Sequence, residues 1–91
     1  MWIEDLIWDE CNTEHIAWHQ VERREVEEAV WGDVWFKKGP GKKRYYAYSQ
    51  TREGRYLFVV LDREYDNYFY VVTTRDMDDS DKRLYRRGRR R

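Results

Sequence analysis

Two histidines, one cysteine and a handful of arginines and tyrosines hold most of the chemistry available to this chain of 91 residues. His15 and His19 are the natural general acid and base, because only imidazole titrates unperturbed near neutrality. They sit one helical turn apart, and the same spacing suits a capping or core role on a helix packed against a sheet. Cys11, His15 and His19 recur at every fourth residue, which sets three zinc-ligand types along one helical stripe. That stripe spans about 12 Å, too far for one ion to meet all three, so at best two would bind one; no metal and no other cofactor is expected.

Arg75 comes at the end of a β-branched run and just before a helix start, and its forked guanidinium matches two phosphate oxygens at once. The competing use is an ion pair with Asp76, Asp78 or an acid of the first helix. Arg55 opens the most apolar stretch and can reach the same side as Arg75, or serve as a surface charge at a hairpin end. Lys42, Lys43 and Arg44 follow the Gly39-Pro40-Gly41 turn, where they can grip a phosphate backbone or simply solvate the turn. Tyr46, Tyr48 and Tyr85 can stack on bases or give up a phenolic proton. Core or sheet-surface packing is the ordinary use of such rings.

Charge is strongly segregated. Eighteen basic and eighteen acidic side chains cancel, yet residues 1–33 carry ten acids against two bases, net −8. Residues 34–55 carry seven bases and one acid, net +6, and residues 56–91 carry nine bases and seven acids, net +2. An acidic side and a basic groove follow from this, and the basic part suits a phosphate backbone. Solubility and ion pairing between the segments are the alternative use. A single cysteine excludes an internal disulfide. With no signal peptide and no apolar run long enough for a membrane, a cytoplasmic protein is expected.

The elements that must hold these residues are organised around residues 56–61, six consecutive apolar or aromatic side chains bounded by Gly54 and Asp62. This is the pattern of a central strand covered on both faces. A short first strand is expected over residues 3–8, then a helix capped by Asp9 or Asn12 that ends near His19 and Gln20. Val26, Ala29 and Val30 form the apolar stripe of a second helix, stopped at Gly32. Further strands are expected at residues 34–37, 44–50 and 68–75. Residues 51–54 form a hairpin loop, with Gly54 taking a positive φ. Strict alternation sets Phe69, Val71, Thr73 and Arg75 on one face, and Tyr46 with Tyr48 on one face of their own strand. A last helix, capped by Asp76 or Asp78, runs through Leu84 and Tyr85 to Gly88, beyond which Arg89 and the last two arginines fray. The fold class is therefore α+β: a small antiparallel sheet of about four strands with two N-terminal helices and a C-terminal helix. One domain covers residues 1–88, with a basic tail at 89–91. The helices are expected against one sheet face, leaving the other free.

Read in order, the chain resembles the BrnT family of toxins. The resemblance lies in Trp8-Asp9-Glu10, in Asn12, His15, Ile16, His19 and Val21 at their spacing, and in Glu25-Val26-Glu27-Glu28-Ala29. It continues through Gly54-Arg55-Tyr56-Leu57-Phe58-Val59-Val60 to Thr74-Arg75-Asp76-Met77, and so spans most of the chain. The family usually has Gly after the second His and often Ser or Thr before the Glu-rich helix, whereas this chain has Gln20 and Glu22. The resemblance implies a fold similar to RelE and ParE toxins and a ribonuclease that inhibits translation as one half of a type II toxin–antitoxin pair. It further implies RNA as substrate, a BrnA-like ribbon-helix-helix antitoxin as partner, and a dimer within their complex. RNA cleavage through the 2′-hydroxyl needs a base, a cation at the phosphate and an acid for the leaving 5′-oxygen, and it requires no metal. Arg75, His15, His19 and Tyr85 are the catalytic candidates, and Lys42, Lys43, Arg44, Arg55, Tyr46 and Tyr48 the RNA-binding ones. A catalytically silent module that pairs with an antitoxin-like DNA-binding partner is the alternative.

Overall fold

The computed structural model describes residues 1–89. In chain order the elements are β1 (Asp5–Ile7), α1 (Glu10–Trp18), α2 (Arg23–Val30), β2 (Trp35–Lys38), β3 (Arg44–Gln50), β4 (Tyr56–Tyr65), β5 (Tyr68–Asp76) and α3 (Asp79–Arg89). Arg90 and Arg91, placed in the expected basic tail, lie outside the described residues. The class is α+β, and the arrangement is consistent with a RelE-like one.

The sheet has five strands rather than about four, in the order β1-β5-β4-β3-β2, and it is mixed. Strands β2 to β5 form an antiparallel meander, while β1 runs parallel to the outer edge of β5. The central position of β4 agrees with its apolar run. Leu57, Val59 and Leu61 are fully buried on one side, joining Ile16, Val26, Ala29, Val30, Phe69 and Val71 in a core beneath α1 and α2. Burying each large aliphatic or aromatic side chain there contributes about 1.5–3 kcal/mol.

Local signals explain the two N-terminal helices. Asp9 caps α1, its carboxylate accepting the Asn12 N–H at 2.8 Å, while Asn12 Oδ1 accepts the Asp9 N–H at 2.8 Å. The Asn12 amide also donates to Ile7 O and Val71 O, so the capping residue fastens α1 to β1 and β5 together. At the other end Val21 N–H returns to Ile16 O and Gln20 N–H to Ala17 O, the paired bonds of a Schellman turn. Gln20 takes φ 59 there, the left-handed conformation that glycine adopts most cheaply. Gly54 has the expected positive φ of 94.

Two expectations about the sheet faces need correction. First, the second face is not free: α3 crosses one end of it. Tyr85 and Leu84 pack there with Met77 against Trp35, Tyr48, Tyr56 and Phe58, forming a smaller aromatic core. The even-numbered side chains of β3 and β4 are as bulky as the odd ones, and rings of that size need cover. Second, Phe69, Val71, Thr73 and Arg75 do not share a face. Leu61 stands opposite Val71, whereas Val60 stands opposite Thr73, so Val72 is an extra residue on β5. This bulge breaks the alternation. Phe69 and Val71 remain in the larger core, Thr74 turns inward with its hydroxyl donating to Phe58 O at 3.0 Å, and Thr73 and Arg75 emerge on the α3 side.

The C-terminal helix also differs at its end. Asp78 and Asp81 exchange side-chain-to-backbone bonds at 2.8 and 3.0 Å, which caps α3 as expected from Asp78. Gly88 does not stop it. The helix continues to Arg89, which pairs with Asp33 and lies over the Tyr85 ring, so this arginine belongs to the folded unit rather than to a fraying tail. Glycine is required at position 88 for space, since a Cβ would lie 2.3 Å from the Trp35 indole.

Candidate functional site

The half of the α3-side face that α3 leaves uncovered can be described rung by rung from the strand register. Under the helix, Trp35 pairs with Tyr48, Tyr48 with Phe58 and Phe58 with Arg75. The next rung, beyond the helix, pairs Lys37 with Tyr46, Tyr46 with Val60 and Val60 with Thr73. His15 completes this rung from α1, its Nε2 lying 2.9 Å from Thr73 Oγ1. A third rung pairs Arg44 with Asp62 and Asp62 with Tyr70. The bulge at Val72 is what puts Thr73, rather than Val72, opposite Val60 in the second rung.

Of the expected site residues, Arg75, Tyr46, Tyr48 and His15 are brought to this face or its margin. Arg75 lies over the Phe58 ring at 4.4 Å and donates to Asp81 Oδ2 at 2.7 Å, so its charge is shared with a carboxylate of α3. Tyr48 is buried, and burial raises its phenol above the ordinary value, with the Asp81 carboxylate adding to the effect. Tyr46 is half-buried against Phe58. His15 is exposed, with His19 edge-on to it at 5.5 Å between ring centroids.

The other candidates are placed elsewhere. Tyr85 is buried in the aromatic core with its hydroxyl donating to Asp33 O at 2.6 Å, and burial pushes its phenol up. Arg55 is on the opposite side from Arg75. It donates to both oxygens of Glu25, to Asp76 at 2.7 Å, and to the carbonyls of His19 and Gln20 at the end of α1. It is thus a junction between α1, α2 and β5, where the expectation was a hairpin-end charge or a residue beside Arg75. Arg44 is bidentate to Asp62, at 2.6 and 3.1 Å, and that guanidinium holds the Asp62 carboxyl below its usual range. Lys43 pairs with Glu64 at 3.3 Å, and Lys42 is exposed in the turn before β3.

Lys37 is the residue that the sequence reading missed. The signal was present: Lys37 is two positions from Trp35 and antiparallel to Tyr46 across the Gly-Pro-Gly turn, so strand parity alone puts it on the tyrosine face. Beyond this rung lies an open groove of about 570 Å³ lined by Ile7, Lys43, Asp62, Glu64, Tyr65 and Tyr70. A second depression, about 590 Å³, is bounded by Glu27, Glu28, Trp31 and Arg52 and touches none of the candidates. Among the described residues no group of three or more His, Cys, Asp and Glu side chains is arranged to hold a metal ion. Among the described residues no helix is long and apolar enough to cross a membrane.

The part of this face that α3 leaves uncovered thus carries aromatic and basic side chains and is bordered by the His15 imidazole. No protein-family model, curated protein or solved structure matches the chain.

Proposed function

We propose that the chain is a BrnT-like endoribonuclease toxin that cuts RNA without a metal and is held in check by a ribbon-helix-helix antitoxin. The observation that carries this reading is the convergence of His15, Tyr46 and Arg75 on one partly open sheet face. Supporting it are the ordered sequence resemblance and the left-handed φ of Gln20, at the position where the resembled family usually has Gly. In the reaction the 2′-oxygen attacks phosphorus while a base takes its proton, the P–O5′ bond breaks and an acid protonates the departing 5′-oxygen, leaving a 2′,3′-cyclic phosphate. His15 suits the base or acid role and the Tyr46 phenol the other, with Arg75 meeting the charge that builds on the phosphorane.

The alternative, a catalytically silent module that pairs with an antitoxin-like partner, is favoured by one observation. The face's arginines, Arg75 and Arg44, are already paired with Asp81 and Asp62. Cleavage of a defined RNA by the purified chain separates the two readings. The parent is expected to cut, and Arg75→Ala and His15→Ala to cut at least tenfold more slowly at matched fold. Failure of the parent to cut, with or without ribosomes, moves the binding module ahead.

A further inference from the structure

We infer that the anion-binding point of this face is the Lys37–Tyr46–Val60–Thr73 rung, with Lys37 as its phosphate ligand, and that its ligand is a single-stranded ribonucleotide chain. The inference rests on the RNA reading above and goes beyond it, placing the ground-state phosphate on Lys37 instead of Arg75.

Of the other cations beside this face, Arg44, Lys43, Arg75 and Lys82 are occupied; Arg87, next to Trp35 at the end of α3, and Lys42, in the turn before β3, have no ion pair among the described residues but lie off this rung. Arg44 is held by Asp62, Lys43 by Glu64 and Arg75 by Asp81, while Lys82 lies over the Tyr56 ring at 5.2 Å. A cation already paired with a carboxylate meets a phosphate with its charge partly neutralised, whereas a free one meets it with its full charge. The Lys37 side chain is exposed and, among the described residues, has no ion-pair or hydrogen-bond partner. Its strand position places it on the tyrosine side, directly across from Tyr46.

Geometry supports the same point. Three interstrand steps separate Lys37 on β2 from Thr73 on β5, about 14 Å at ordinary strand spacing. The lysine stem reaches in from one end and His15 closes the other, bonded to Thr73 Oγ1. Between them Val60 forms a low apolar floor, and the Tyr46 ring offers a stacking surface beside it. A phosphodiester with its ribose fits that span, and a neighbouring base meets Tyr46. Single-stranded chains present such unstacked bases, whereas a duplex does not. The ground-state phosphate therefore sits on Lys37, and Arg75, one rung away, contributes when charge rises in the transition state.

The test is binding of a mixed-sequence 2′-O-methyl oligoribonucleotide, which lacks the attacking hydroxyl and stays intact, followed by fluorescence anisotropy over a range of salt. Lys37→Gln is expected to weaken binding about tenfold and to lower the salt slope by about 0.7, the share of one phosphate contact on a single strand. Arg75→Gln is expected to change affinity less than threefold, and Lys37→Arg to restore it. Equal affinity and slope for the parent and Lys37→Gln would overturn the inference while leaving the RNA reading in place. No binding by the parent removes both.

Discussion

The Arg75 guanidinium donates to Asp81 Oδ2 at 2.7 Å, joining the end of β5 to the first turn of α3. The same Asp81 oxygen accepts the Asp78 N–H at 3.0 Å, so one carboxylate both caps the helix and neutralises the arginine. Helix position and face charge are thereby coupled. Where Asp81 stays, Arg75 is a positioning element for α3 as much as a cation of the site.

Replacing that carboxylate by its amide separates the two jobs. Asp81→Asn keeps an oxygen for the helix cap but removes the charge, and the pair is only partly shielded, since the Arg75 side chain is 41% exposed. Loss of stability should therefore be small, about 1 kcal/mol or less, measured by urea unfolding. Binding of the 2′-O-methyl oligonucleotide should tighten about threefold at low salt, because Arg75 is released to meet a phosphate. Unchanged affinity would mean that Arg75 never faces the ligand.

Much of this arrangement was legible in the sequence, and the part that was not has a physical cause. The central strand, the hairpin at Gly54 and the caps at Asp9 and Asp78 announce themselves through residue type and local spacing. The Val72 bulge does not, because Tyr68 to Thr74 is β-branched and aromatic throughout and offers no charged residue, glycine or proline to mark the change of side. Strict alternation accordingly groups Thr73 and Arg75 with Phe69 and Val71. The cover by α3 was hidden for a related reason: Tyr46, Tyr48, Tyr56 and Phe58 read equally well as a ligand surface or as a core. Pairing likewise escapes local inspection, as Arg44 and Asp62 are 18 residues apart and meet only through the β3–β4 register.

The turn after α1 carries removable strain. Gln20 holds φ 59 in a Schellman turn whose two bonds and buried Ile16 and Val21 fix the conformation. A side chain in that conformation costs about 1–2 kcal/mol, and glycine gives back about 0.5–1 kcal/mol through its freer unfolded state. Gln20→Gly should thus stabilise the chain by about 0.5–1 kcal/mol in urea titration. Gln20→Ala, which keeps Cβ, should not.

Acid should weaken the fold through identifiable carboxylates. The Arg44 hydrogen bonds lower the Asp62 carboxyl, and the Arg55 hydrogen bond lowers that of Asp76, each against an opposing effect of burial. A carboxyl depressed in the folded state contributes stability that is fully present above its unfolded value. That contribution is lost as pH falls through the folded one, below about pH 4. Thermal unfolding followed from pH 7 to pH 2 should show this decline, and Asp62→Asn should be less stable at pH 7 while losing less on acidification. A parallel loss in parent and variant would assign the acid sensitivity to other groups.

Gly88 tests whether α3 is seated as described. In a free helix Gly→Ala gains about 1 kcal/mol. Here the added methyl would lie 2.3 Å from two carbons of the Trp35 indole, a rigid ring that is itself tilted against Tyr48 at 5.2 Å. Neither partner can turn away without opening the aromatic core, and overpacking of this kind costs about 1–3 kcal/mol. Gly88→Ala should therefore destabilise the chain by about 1–2 kcal/mol net in urea unfolding. Hydrogen exchange should rise first in α3, because the clash lifts that helix rather than the five-stranded sheet. Pairing the change with Trp35→Leu, which removes the ring, should recover part of the loss. If Gly88→Ala instead stabilises the chain, as it would in an unpacked helix, α3 does not rest on β2 and the lower end of the candidate face is open as well.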